Sequence, residues 1–168
     1  MRIDKERWQL ATVCLFLVVL QFTVRPLPND PRIERLAPDF LLLALLVYAI
    51  RVRPAHGAIA GFIVGLVTDS LSPAAFGAAA LAHTVIGYLA AWGKAVFFAE
   101  NLLVNAAFFF LGAWLRDVLV LLIGQHSHGS ALYWQIGYLS PIRALTTAIA
   151  GVVVLLVFRR WLNIRIGE

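Results

Sequence analysis

HGAIAGFIVGLVTDSLSP, residues 56–73, decides how the rest of the chain is read. It is apolar throughout except for its first residue and its end, it carries one charge, Asp69, and it is stopped by Ser72-Pro73, where proline ends a helix. A stretch of this length and polarity is a helix that crosses a bilayer. Gly57, Gly61, Gly65 and Asp69 recur every fourth residue and so share one face of that helix. Glycine in lipid lets a second backbone come close and gain dispersion contacts where no hydrophobic drive exists between helices. Two uses of the face stand open: packing within the chain's own bundle, which is the commoner use, and gripping a partner's helix.

Working outward, the same pattern repeats. The chain has 168 residues, 61% of them apolar and 14% charged, and a mean hydropathy of +0.85, outside the range of an ordinary globular domain. Apolar segments fall at 8–24, 37–53, 55–71, 76–98, 101–123 and 139–158. The expected fold is an all-α polytopic membrane protein, a single transmembrane domain over 1–168 with six spans. RPLPNDPRIERLAP (25–38) reads as a solvated outer loop and GQHSHGSALYWQIG (124–137) as a second polar connection. The first span is long, lacks a small-residue cleavage site and is followed by more apolar sequence, so it is read as permanent.

The net charge of +5 sits in short segments beside the spans, which sets topology and gives no ground for nucleic-acid binding. With the N terminus inside, Arg2, Lys5, Arg7, Arg51, Arg53, Lys94, Arg159, Arg160 and Arg165 are cytoplasmic, and only Arg25, Arg32, Arg35 and Arg143 are outside. Both termini are therefore expected in the cytoplasm, in a bacterial inner membrane crossed several times. Trp8, Tyr133, Trp134, Tyr138 and Trp161 fall near the expected interfaces. The basic tail is suited to anionic lipid.

Charges inside the spans are the candidate site. Asp69 lies about 21 Å along its helix and Arg116 about 22 Å along the fifth span, and a lone charge at such depth costs on the order of 3 kcal/mol or more. Asp69, Arg116 and Asp117, with Arg143 and Asp39 near outer helix ends, are expected to form a buried outer polar cluster, Asp69 paired with Arg116. Asp39, after Pro38, also suits a cap on the second span, where a carboxylate takes helix-terminal N–H groups. Thr146, Thr147, Gly77, Gly87, Gly93 and Gly151 read as packing positions.

Catalytic chemistry finds little support. His126 and His128 form an H-x-H pair without a third ligand, and His56 and His83 lie on separate helices without a nucleophile. The single Cys14 allows neither an internal disulfide nor a cysteine metal site. Phosphate-loop, nucleophile-elbow and dinucleotide motifs are missing, so neither an enzyme nor a cofactor is expected.

The succession APDFLLLALLVYAIRVRP (37–54), HGAIAGFIVGLVTDSLSP (56–73) and FGAAALAHTVIGYLAAW (76–92), behind a proline-rich outer loop, resembles the rod-shape-determining membrane protein family MreD. The specific marks are Pro38-Asp39 opening the second span, Arg51-x-Arg53-Pro54 closing it, and the G-x-x-x-G-x-x-x-G-x-x-x-D run followed by a leucine, a short break and Phe76-Gly77. The resemblance implies a non-enzymatic scaffold of the bacterial elongation machinery that lays side-wall peptidoglycan. It implies MreC as direct partner, and MreB and the RodA–transpeptidase pair as partners directly or through MreC. It also implies a fold similar to the substrate-binding membrane subunits of energy-coupling-factor vitamin transporters, which makes such a subunit the alternative function. A lipid-processing enzyme using Asp39, Asp69 or His126 is the third reading. The sequence leaves a homodimer open.

Overall fold

The computed structural model of the chain describes residues 2–24, 37–71, 76–97, 102–124 and 130–158. Regular structure among them is helical throughout: α1 (Arg2–Val24), α2 (Phe40–Ala49), α3 (Pro54–Leu71), α4 (Ala78–Phe97), α5 (Leu102–Gly124), α6 (Ser130–Trp134), a π-helical turn (Gln135–Leu139) and α7 (Ser140–Phe158). Three segments are long and apolar enough to cross a membrane: Pro54–Leu71, Leu102–Gly124 and Leu132–Phe158. Trp8–Val24, Phe40–Ala49 and Ala78–Gly93 are shorter apolar helices. The outer arginines Arg25, Arg32 and Arg35, the Ser72-Pro73 break, His126, His128, Trp161 and the tail with Arg159, Arg160 and Arg165 lie outside the described residues, as do the side chains of Arg2, Lys5, Arg7 and Lys94.

The centre of the bundle is α2. A helix that is apolar all round must be enclosed, and Phe40 to Val47 and Ala49 are all buried. Val13 and Leu17 of α1 cover one side, and Cys14 lies 3.7 Å from the carbonyl oxygen of Ala44. The remaining helices close around it in two antiparallel pairs, α3 with α4 and α5 with α7, joined where α4 meets α5.

Two segments differ from the sequence reading. The second span, expected over 37–53, is helical only over Phe40–Ala49, about 15 Å of rise. Pro38 and the capping Asp39 set its start. At the other end Arg51 and Val52 donate to the carbonyls of Tyr48 and Ala49 in a tight turn before Pro54 opens α3. The last helix begins at Ser130, inside the stretch read as a connection, and runs into α7 through the π turn. Most polar residues of that stretch precede Ser130, and from Ala131 the sequence is apolar and aromatic apart from Gln135. The indole of Trp114 donates to the carbonyl of Ile136 at 3.3 Å, which ties the turn to α5. Trp134 and Tyr138 stack on its exposed side with ring centroids 4.7 Å apart.

Candidate functional site

The glycine face of α3 is spent inside the fold. Gly57, Gly61, Gly65 and Asp69 are all buried, and the glycines lie directly on the backbone of α4. A Cβ on Gly57 would overlap the carbonyl oxygen of Gly87 and sit 2.9 Å from Cβ of Ala91. One on Gly61 would overlap the His83 carbonyl, and one on Gly65 would lie 2.8 Å from the carbonyl carbon of Ala79. In this bundle the face is a packing surface, occupied by α4. Backbones this close gain dispersion and weak Cα–H···O contacts along the whole hairpin.

Asp69 completes the same face. Its Oδ2 accepts the N–H of Gly77 at 3.0 Å and of Ala80 at 2.9 Å, and its Oδ1 accepts the N–H of Ala79 at 3.0 Å. The first amides of α4 have no partner within their own helix. A carboxylate from the neighbouring helix supplies the acceptors and faces the positive end of the α4 dipole. Gly77 enters α4 with φ of +98°, a left-handed conformation that glycine adopts without strain. The expected pairing of Asp69 with Arg116 is therefore corrected: the acid is taken by backbone, and α4 packs between the helices that carry the two residues.

Arg116 pairs elsewhere. Its Nη2 bonds Oδ2 of Asp39, and its Nη1 lies 3.0 Å from Oδ1 of Asp117, the next residue on α5. Nη1 of Arg143, on α7, reaches to 3.7 Å from Oδ2 of Asp117. The chain Asp39–Arg116–Asp117–Arg143 holds two acids and two bases, so its formal charge cancels. Its inner members are nearly enclosed, whereas the Arg143 side chain is 40% exposed.

The network surrounds the start of α2. Asp39 is the N-cap, its Oδ1 accepting from Leu42 at 2.9 Å. Its own N–H donates to Oγ1 of Thr147 on α7 at 3.2 Å, and the N–H of Phe40 donates to Oε1 of Gln21 on α1 at 2.8 Å. One helix end thus gathers groups from α1, α5 and α7. Gln21 was not singled out from sequence, although it is the one amide between Leu10 and Val24. Thr147 was read as a packing position only. His83 was set aside for want of a nucleophile, yet it is wholly buried on α4, its Nδ1 2.8 Å from the carbonyl oxygen of Ala79.

Chemically, both oxygens of Asp39, Asp69 and Asp117 are engaged by backbone amides or arginines. A general base needs an oxygen within reach of a substrate proton, and here these oxygens hold the fold. Among the described residues no group of three histidine, cysteine or acidic side chains is placed to hold a metal.

A family model for rod shape-determining protein MreD matches residues 5–163, and the chain belongs to that family. MreD proteins are a family of shape-determining membrane proteins, not known as enzymes. No curated protein and no solved structure matches the chain.

Proposed function

We propose that this MreD-family chain is a non-enzymatic scaffold in the bacterial inner membrane, with six spans and both termini in the cytoplasm, that binds MreC and helps to organise side-wall peptidoglycan synthesis. The observation that supports it most is the fate of the charges within the bundle. Asp39, Asp69, Arg116 and Asp117 are turned inward and bonded to one another or to backbone. What the helices offer outward is apolar: Ile59, Phe62, Ile63 and Val67 on α3, and Leu145, Ile149, Val153 and Val157 on α7 are all exposed. Such a molecule meets its partner in the membrane, by shape and packing.

The glycine face being occupied, a seat for a partner's helix remains in the groove between α5 and α7, about 480 Å³, lined by Ala106, Ala107, Phe110, Leu145, Ala148 and Val152. Its lining is wholly apolar. That suits a transmembrane segment and offers none of the convergent polar groups that would orient a vitamin-like ligand.

The test is to tag the C terminus, extract the protein gently from native membranes and identify what accompanies it by mass spectrometry. MreC with wall-synthesis enzymes is the expected result. Recovery of a transporter ATPase pair instead would overturn the scaffold reading.

A further inference from the structure

His83 lies in the α3–α4 hairpin, on the helix that packs against α5. Its side chain has no exposure, and its carbonyl lies under Gly61, so its place on α4 is fixed by the tightest contact of the hairpin. The Ala79 carbonyl beside Nδ1 can only accept, which puts the ring proton on Nδ1 and leaves Nε2 of the neutral ring as an acceptor. That Nε2 is buried and has no hydrogen-bond partner. Arg116, 93% buried, has the complementary deficit: its Nη groups hold Asp39 and Asp117, while Nε, which can only donate, is buried and unpartnered. Both residues are buried, and α4, which carries His83, packs against α5, which carries Arg116.

Here, then, are one buried donor and one buried acceptor in the same neighbourhood, not bonded to each other. Nearly all buried polar groups in folded proteins are partnered by protein or by ordered water. A water molecule both donates and accepts, and buried ones make two to four hydrogen bonds. We propose that one ordered water bridges Nε–H of Arg116 to Nε2 of His83, and so couples the α3–α4 hairpin to the ion network on α2, α5 and α7.

The experiment is solid-state nuclear magnetic resonance on the full chain in lipid bilayers, with isotope-labelled histidine and arginine. His83 should carry its proton on Nδ1, show Nε2 at the shift of a hydrogen-bonded acceptor, and share water cross-peaks with Nε–H of Arg116 that the backbone amides of Leu42 to Leu46 lack. In His83→Leu the water cross-peak of Arg116 Nε should be lost while its Nη signals keep their carboxylate-bonded shifts. A proton on Nε2, no water transfer to either group, or a water cross-peak at Arg116 unchanged in His83→Leu would each overturn the bridge. Should the variant fail to assemble, the wild-type spectrum decides alone.

Discussion

Gly61→Ala isolates the close approach of α3 and α4 in a single atom. The new Cβ would overlap the carbonyl oxygen of His83, and would stand 2.7 Å from its carbonyl carbon and 3.0 Å from Cα of Thr84. These neighbours are backbone, so no side chain can swing aside, and the helices must part by about 1 Å, which forfeits a quarter to a half of each affected dispersion contact. Overpacking a tight core costs about 1–3 kcal/mol, and here the upper end applies, offset by roughly 1 kcal/mol of helix propensity that alanine returns. The net expectation is a loss of about 2 kcal/mol, or roughly 4–8 °C in unfolding midpoint for a chain of this size. Two controls carry the same chemistry without the same neighbour. Gly112→Ala meets only the flexible end of Leu46, at 3.1 Å, and Gly137→Ala meets nothing within 4 Å. Thermal unfolding in mild detergent, followed by tryptophan fluorescence, should rank Gly61→Ala well below Gly112→Ala and Gly137→Ala near wild type. If Gly61→Ala unfolds with Gly137→Ala, the backbone contact is not what holds the hairpin.

The remaining predictions concern the charges and the groove. Asp69→Asn keeps one acceptor oxygen and turns an N–H₂ toward the α4 amides, so it should cost about 1–2 kcal/mol; hydrogen exchange should quicken at Ala79 and Ala80 while the α5–α7 pair is unchanged. Arg116→Leu strands Asp39 and Asp117 in the interior and should cost about 3–5 kcal/mol, read as loss of folded protein in membranes; full accumulation of the variant would contradict the network. Exchanging Asp69 and Arg116 should be tolerated no better than either single reversal, because the two do not pair; rescue by the exchange would restore the direct bond. A photo-crosslinking residue at Leu111 or Ile149, beside the groove, should capture MreC in cells where one at Phe62 on α3 does not; equal capture at all three sites would remove the groove as the seat.

The repeat of Gly57, Gly61, Gly65 and Asp69 was legible because helical geometry alone puts residues four apart on one face. What that face meets was not, because a face does not name its neighbour, and only the structure sets it on Gly87, His83 and Ala80. Asp69 misled for a related reason. Equal depth along two helices says nothing of lateral position, and backbone amides, the actual partners, are invisible in a list of side chains. Asp39 was readable as a cap from Pro38-Asp39. Its bond to Arg116 required knowing that α2 lies against α5. The same limit hid Gln21 and Thr147, since uncharged polar residues in apolar runs are common and only contact with the end of α2 gives these two a role.

The length of α2 explains why charge is buried here at all. At about 15 Å it is half the thickness of a bilayer's hydrocarbon core, and its first residues lie inside the bundle. Irregular backbone at that depth persists only where protein satisfies it, and a helix start exposes several amides at once. Thr147 takes the amide of Asp39, Gln21 that of Phe40, and the Asp39 carboxylate that of Leu42. A capping carboxylate enclosed in this way needs a counter-charge, which Arg116 supplies. Arg116 in turn needs Asp117, and Asp117 reaches Arg143, whose half-exposed side chain carries the series to the surface. Each member answers a deficit left by the one before it, beginning with a helix start enclosed within the bundle. The network is thus explained by the fold's own needs, and the recognition proposed above would fall to the apolar surfaces of α5 and α7.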